Sequence, residues 1–166
     1  MDQPSPVAKL IDAICENFMN ALPGKPWAPV YDGDTLVRTF CDFFVSGVVK
    51  LGFEYTGFIN PLTGEAYLAD KMVDIMQSSD EWMKEVSGNM AQFHANQGAL
   101  VVAGWINPDG HGHVCIVRPG IEVFSGHWNK NAPRVANVGK DVFINEDAAY
   151  AFIDEPSYFV LKRSIS

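Results

Sequence analysis

Apolar residues along the 166-residue chain fall into two regimes. Ahead of Ala99 they recur every three to four positions, the period of a helix with one buried face. Beyond it they run together or alternate, as in strands. Ser5 followed by Pro6 supplies an N-cap and a first-turn proline. Val7, Leu10, Ile11, Ile14, Phe18 and Leu22 then keep helical spacing until Pro23-Gly24 stops the run. A second helix is predicted from Phe40 to near Lys50-Leu51-Gly52, with Thr39 and Asp42 spaced as a capping box. Leu68, Met72, Ile75 and Met76 mark a third. Ser78-Ser79-Asp80-Glu81 ends it and caps a fourth that carries Trp82 and Val86, and a short piece over Asn89 to Asn96 is closed by Gly98. The strand-like runs are Ala99–Trp105, Val114–Val117, Ile121–Phe124, Arg134–Gly139 and Tyr158–Leu161, broken by turn sequences such as Asn107-Pro108-Asp109-Gly110. The expected class is α+β, with N-terminal helices packed on a C-terminal antiparallel β-sheet, in a single domain spanning 1–166.

Composition narrows the function classes. A formal charge of −8 without a basic cluster argues against a nucleic-acid partner, because phosphate binding needs grouped Lys and Arg. No run approaches membrane-spanning length, so no membrane partner is expected. Three widely spaced cysteines do not form a disulfide framework and suit a reducing compartment or a reactive thiol. The segment Met1-Asp2-Gln3-Pro4-Ser5-Pro6 lacks the basic and apolar regions of a signal peptide, so the chain reads as made in the cytoplasm.

Cys41 falls in the first turn of the second predicted helix. There the unpaired N–H groups and the helix dipole favour a thiolate, the form that attacks carbonyls. The structural alternative is that Cys41, sharing a helix face with Phe44, Val45 and Val48, is a small core residue. Cys15 has no charged activator nearby in sequence and reads as structural; the Met residues read as core fillers and His94 as incidental. Trp27 and Tyr31, in the Pro- and Gly-rich stretch ahead of Cys41, either wall a substrate cleft or cover the core edge.

Strand alternation puts His111, His113, Cys115 and Val117 on one face. In one reading His113 is the general base of a Cys–His pair, since an imidazole titrates near neutrality. In another, His111, His113 and Cys115, with His127, bind a metal, although no C-x-x-C or H-x-x-x-H completes the set. A lone structural histidine is the third. A base also needs an orienting acceptor. If the His113 strand pairs antiparallel with Arg134–Val138, the start of one meets the end of the other, which makes Asn137 the first candidate, with Glu122 and Asn129 behind it.

Cys41-Asp42-Phe43-Phe44-Val45 resembles the C-[ND]-x-[FY]-V nucleophile motif of the NlpC/P60 and CHAP branch of papain-like cysteine peptidases and amidases. Gly112-His113-Val114-Cys115-Ile116-Val117 resembles their G-H-V-[AG]-[IV]-V histidine strand, and Ala95–Ala103 is similar to the helix-to-strand passage of phage and secretion-effector members. The resemblance covers roughly Leu36 to Gly139. It departs from NlpC/P60 proper in lacking D-C-S-G-F and the upstream Tyr-x-Trp-Gly-Gly stretch; Trp27 and Tyr31 are the nearest aromatics and are carried as substrate-binding candidates. The resemblance implies a papain-like core, no cofactor and no metal, and hydrolysis of peptidoglycan amide bonds, either in the stem peptide or between muramic acid and L-Ala. By position, Cys41 is the nucleophile, His113 the base and Asn137 the third polar residue.

Two rivals stand beside that expectation: a non-catalytic binding module on the same scaffold with Cys41 inert, and an intracellular cysteine peptidase or amidase with a non-wall substrate. A wall substrate for a chain without a signal peptide implies release at lysis or export by a secretion apparatus. An exported toxin implies a cognate immunity protein as partner.

Overall fold

A computed structural model describes residues 4–20 and 27–162. Helix α1 (Pro6–Asn20) begins where Ser5 accepts a hydrogen bond from the Ala8 N–H through Oγ at 3.1 Å. Its predicted stop at Pro23-Gly24 lies outside the described residues. A short hairpin follows, β1 (Val30–Asp32) and β2 (Thr35–Arg38), turning through Gly33 at φ +58°. Helix α2 (Cys41–Phe53) buries Phe44, Val45, Val48 and Val49 completely. Each such side chain contributes on the order of 2 kcal/mol of burial. Helix α3 (Ala69–Ser78), strand β3 (Trp82–Val86) and helix α4 (Gly88–Asn96) come next. Strands β4 (Val101–Trp105), β5 (His113–Val117), β6 (Val123–Ser125), β7 (Lys130–Ala132), β8 (Arg134–Val138), β9 (Val142–Asp147) and β10 (Ser157–Leu161) complete the chain, with a 3-10 turn at Ala148–Tyr150.

The fold is α+β, with four helices among the described residues. Its main sheet has six strands in the order β3-β10-β4-β5-β8-β9, all antiparallel, and β6 pairs only with β7. Side chains alternate between two cores, as strand geometry requires. Val102, Val114, Ile116, Ala136 and Phe159 meet α1, α2 and α3 on one face, while Val101, Ala103, Cys115, Val117 and Val160 meet α4 and Phe152 on the other. Buried Arg118, just past β5, pairs with Asp12 and Glu16 of α1 and donates to the Ile144 carbonyl, tying helix to sheet.

The order of helices first and strands afterwards is not kept. Trp82–Val86 is one of the sheet's two edge strands, not the predicted fourth helix. Trp82 and Val86 lie at helical spacing, but β10 offers Leu161 and Tyr158 as ladder partners. Buried Trp82 stacks on Phe58 and donates its indole N–H to the Tyr55 hydroxyl at 3.1 Å, so tertiary contacts decide the conformation. The β1–β2 hairpin also precedes α2, and α4 covers the sheet face opposite α2. Among the described residues no helix is long and apolar enough to cross a membrane.

Candidate active site

Cys41 is the first residue of α2, so its backbone N–H has no acceptor within the helix. The expected capping box is not formed. The N-cap is Phe40 and makes no side-chain capping bond, the Asp42 carboxylate accepts from the Phe43 N–H at 2.8 Å, and Thr39 turns its hydroxyl to the Cys41 sulfur at 3.7 Å. The Val114 N–H of β5 and the Asp42 N–H also point at that sulfur. Thus the start of α2 abuts the start of β5, one residue from His113.

His113 is fixed from the other side. Its Nε2 lies 2.6 Å from Asn137 Oδ1 on β8, and Asn137 Nδ2 donates to the Asp141 carbonyl at 2.7 Å. The second bond sets the amide's orientation, so Oδ1 faces the imidazole and Nε2 carries the proton. Nδ1 therefore keeps the basic lone pair. Phe152 packs against the ring at 5.1 Å between centroids. Gly139 gives it room: a Cβ there would stand 2.8 Å from Cε1.

Cys41 and His113 line two adjoining cavities of the candidate cleft. A cavity of about 310 Å³ is lined by Cys41, Arg38, Asp42 and Asp70, and one of about 400 Å³ by His113, Asn137, Trp105 and Phe152. They share Leu36, Thr39, His111 and Gly112 as a common border.

Burial dominates the electrostatics. Desolvation raises the Cys41 thiol, and the Asp42 charge adds to the rise, against the lowering by the Val114, Thr39 and Asp42 donors. Desolvation lowers the His113 imidazole, against a smaller rise from its bond to Asn137. Burial thus disfavours both charged forms, the thiolate and the imidazolium. The thiolate expected from the helix N-terminus is therefore opposed by burial of the sulfur. Burial pushes the Cys15 thiol up to about 12 and raises Cys115 well above its ordinary value. Of the three thiols only Cys41 lines this cleft. Iodoacetamide is expected to label Cys41 first and faster as pH rises; peptide mapping of the singly labelled protein checks the order, and early labelling at Cys15 or Cys115 would refute it.

Of the other candidates, Trp27 does not reach the cleft. It is buried against Phe18, Phe43 and Phe44 and donates to the Met19 carbonyl at 2.9 Å, covering the core edge. Tyr31 is exposed on β1 and lines neither cavity. Glu122 lies in a separate hollow beside Tyr158, and Asn129 occupies the β6–β7 turn at φ +52°. His127 bonds to the Ile153 carbonyl through Nε2. Among the described residues no three His, Cys, Asp or Glu side chains are grouped to hold a metal ion.

Sequence reasoning missed Thr39 as a partner of the thiol, and the close approach of Asp70 and the Trp105 carbonyl to Gly112, the residue before His113. A Cβ on Gly112 would fall 2.1 Å from Asp70 Oδ1 and 2.6 Å from the Trp105 carbonyl oxygen. Asp70 can swing aside, but the Trp105 backbone cannot. Gly112→Ala is expected to displace His113, costing about 1–3 kcal/mol of stability by overpacking and tenfold or more in turnover. Denaturant melts together with rate measurements check this; an unchanged rate would mean the loop absorbs the methyl.

No protein-family model matches the chain, and no curated protein does.

Proposed function

We propose that this protein is a cysteine hydrolase of the papain-like NlpC/P60 and CHAP kind that cuts amide bonds in peptidoglycan, acting as one catalytic domain. The observation that carries the reading is the Asn137–His113 bond, which leaves Nδ1 as base, in a cavity that borders the one Cys41 lines. The motif resemblance over Leu36 to Gly139 supports the substrate class.

In this reading His113 Nδ1 takes the Cys41 proton as the sulfur attacks the scissile carbonyl. Generating charge only during attack suits a pair whose charged forms burial disfavours. The N–H of Cys41 at the head of α2 stabilises the developing oxyanion. His113 then protonates the leaving nitrogen, the C–N bond breaks, and a thioester remains. Water, giving its proton to His113, releases the acid and restores the thiol. The enzyme reaches the wall by export through a secretion apparatus or by release at lysis, and as an exported toxin it has an immunity protein as partner.

One observation favours the rival binding module: Cys41 is 4% exposed and burial raises its thiol. Digestion of purified peptidoglycan decides between them. Wild type is expected to release fragments whose new termini, read by mass spectrometry, name the bond. A folded wild type that releases nothing from the wall overturns the substrate assignment.

A further inference from the structure

Away from the candidate cleft, the fold forms a second hollow of about 570 Å³, a size that suits a small-molecule site. It shares no lining residue with the cavities of Cys41 and His113. Strand β10 contributes Ser157 and Tyr158, the passage from β3 into α4 contributes Val86 to Asn89, and β7 contributes Lys130 and Asn131. Glu122 and Glu155 complete its polar lining.

Two groups at this hollow are left without partners. Tyr158 is 1% exposed, and its hydroxyl meets no hydrogen-bonding group among the described residues. Glu122 Oε1, also shielded, is unpartnered as well. A buried polar group without a partner destabilises a fold, so each calls for an explanation. Burial raises the Tyr158 phenol, so it stays a donor, while the Glu122 oxygen offers an acceptor. The other charges answer one another. Lys130 pairs with Glu155, and Glu155 lies against the head of α4, where a Cβ on Gly88 would stand 3.3 Å from its Oε1. An anionic ligand would meet two carboxylates and find the helix head already taken. A cationic ligand would meet Lys130 and the positive end of α4. The hollow therefore suits a neutral ligand that both donates and accepts.

We infer that this hollow is a saccharide site, in which one hydroxyl of a neutral sugar accepts from the Tyr158 O–H and a neighbouring hydroxyl donates to the Glu122 carboxyl. A sugar hydroxyl does either, and a ring carries several side by side. Asn89, Asn131 and Ser157 supply further polar groups around it. On the peptidoglycan reading, on which this last step rests, the sugar belongs to the wall's glycan strand. Asp154 lines the His113 cavity and Glu155 this hollow, so one polymer reaches both. The hollow then grips the strand beside the cleft that cuts it.

The experiment titrates tri-N-acetylchitotriose, a soluble chain of N-acetylglucosamine, into the wild-type protein and follows backbone amide signals by NMR. Saturating shifts at Gly88, Asn89 and Asn131, with Gly112 unmoved, are expected; no shift, or shifts confined to Gly112 and its neighbours, overturn the site. Tyr158→Phe removes only the hydroxyl and should weaken binding about tenfold, the worth of one hydrogen bond. Its thermal melt should match or exceed that of wild type, because the hydroxyl has no partner to lose. Unchanged affinity, or a melt lowered by several degrees, overturns the role given to Tyr158. For the wall strand, Cys41→Ala protein is sedimented with purified peptidoglycan, with and without Tyr158→Phe. The second substitution should raise the half-binding wall concentration about tenfold; an unchanged value overturns the glycan strand as the sugar. Neither titration needs Cys41 to cut, so a wild type that releases nothing from the wall refutes the hydrolase and leaves the hollow judged by these results.

Discussion

Cys41→Ala is expected to lower turnover of peptidoglycan about ten-thousandfold or more while leaving the fold intact, because without the sulfur no thioester forms. The prediction is sharp because the removed atom is small and sits at a cavity wall. Its loss leaves the Thr39 hydroxyl and the Val114 and Asp42 N–H groups without a sulfur acceptor, but opens space into the adjoining cleft where water replaces it. The expected loss of stability is about 1 kcal/mol or less. Phe44, Val45, Val48 and Val49, which hold α2 against the sheet, are untouched. The check is kcat against wild type with thermal melts of both proteins. Near-wild-type turnover in a folded Cys41→Ala protein removes the nucleophile and the mechanism with it.

Much of the architecture is legible in the sequence, for a physical reason. α2, α3, β4, β5, β8 and β10 each bury a face whose periodicity shows within the segment, as Met72 and Met76 do in α3 and Val114 and Ile116 in β5. The segments misread or missed lack that internal signal. Trp82–Val86 is ambiguous by period and is decided by β10, which lies more than seventy residues on. β9 (Val142–Asp147) carries mostly polar or half-exposed residues and pairs as an edge, while β1 and β2 bury nothing and so show no apolar alternation. The site divides the same way. The Asn137–His113 pairing follows from strand parity and was within reach. Asp70 beside Gly112 and Phe152 on the imidazole are contacts between distant segments, while Thr39 against the sulfur is local but depends on a side-chain rotamer that periodicity does not show. The helix N-terminus that favours a thiolate is legible at Cys41, whereas the burial that opposes it belongs to the folded chain.

The His113–Asn137 pair makes the second large prediction. His113→Ala is expected to cost as much turnover as Cys41→Ala, and the double variant little more, because base and nucleophile act as a unit. Asn137→Ala removes the acceptor of Nε2–H and frees the ring to turn, so about a hundredfold loss is expected from misplacement. pH separates orientation from charge. Burial lowers His113 below its ordinary value of 6.5, so wild-type activity should persist on the acid side of 6.5 and fail only as the ring finally protonates. Stability carries the matching sign. As pH falls through 6.5 the unfolded chain binds a proton that folded His113 refuses, so the fold weakens toward acid. Asn137→Asp keeps an oxygen acceptor at nearly the same place but adds a negative charge, which favours the imidazolium. Its acid limb should move to higher pH, cutting activity near pH 6 more than near pH 8. A purely structural Asn137 would lower the rate equally at all pH values. An acid limb left unmoved by Asn137→Asp would mean that the group titrating in turnover is not the imidazole bonded to Asn137.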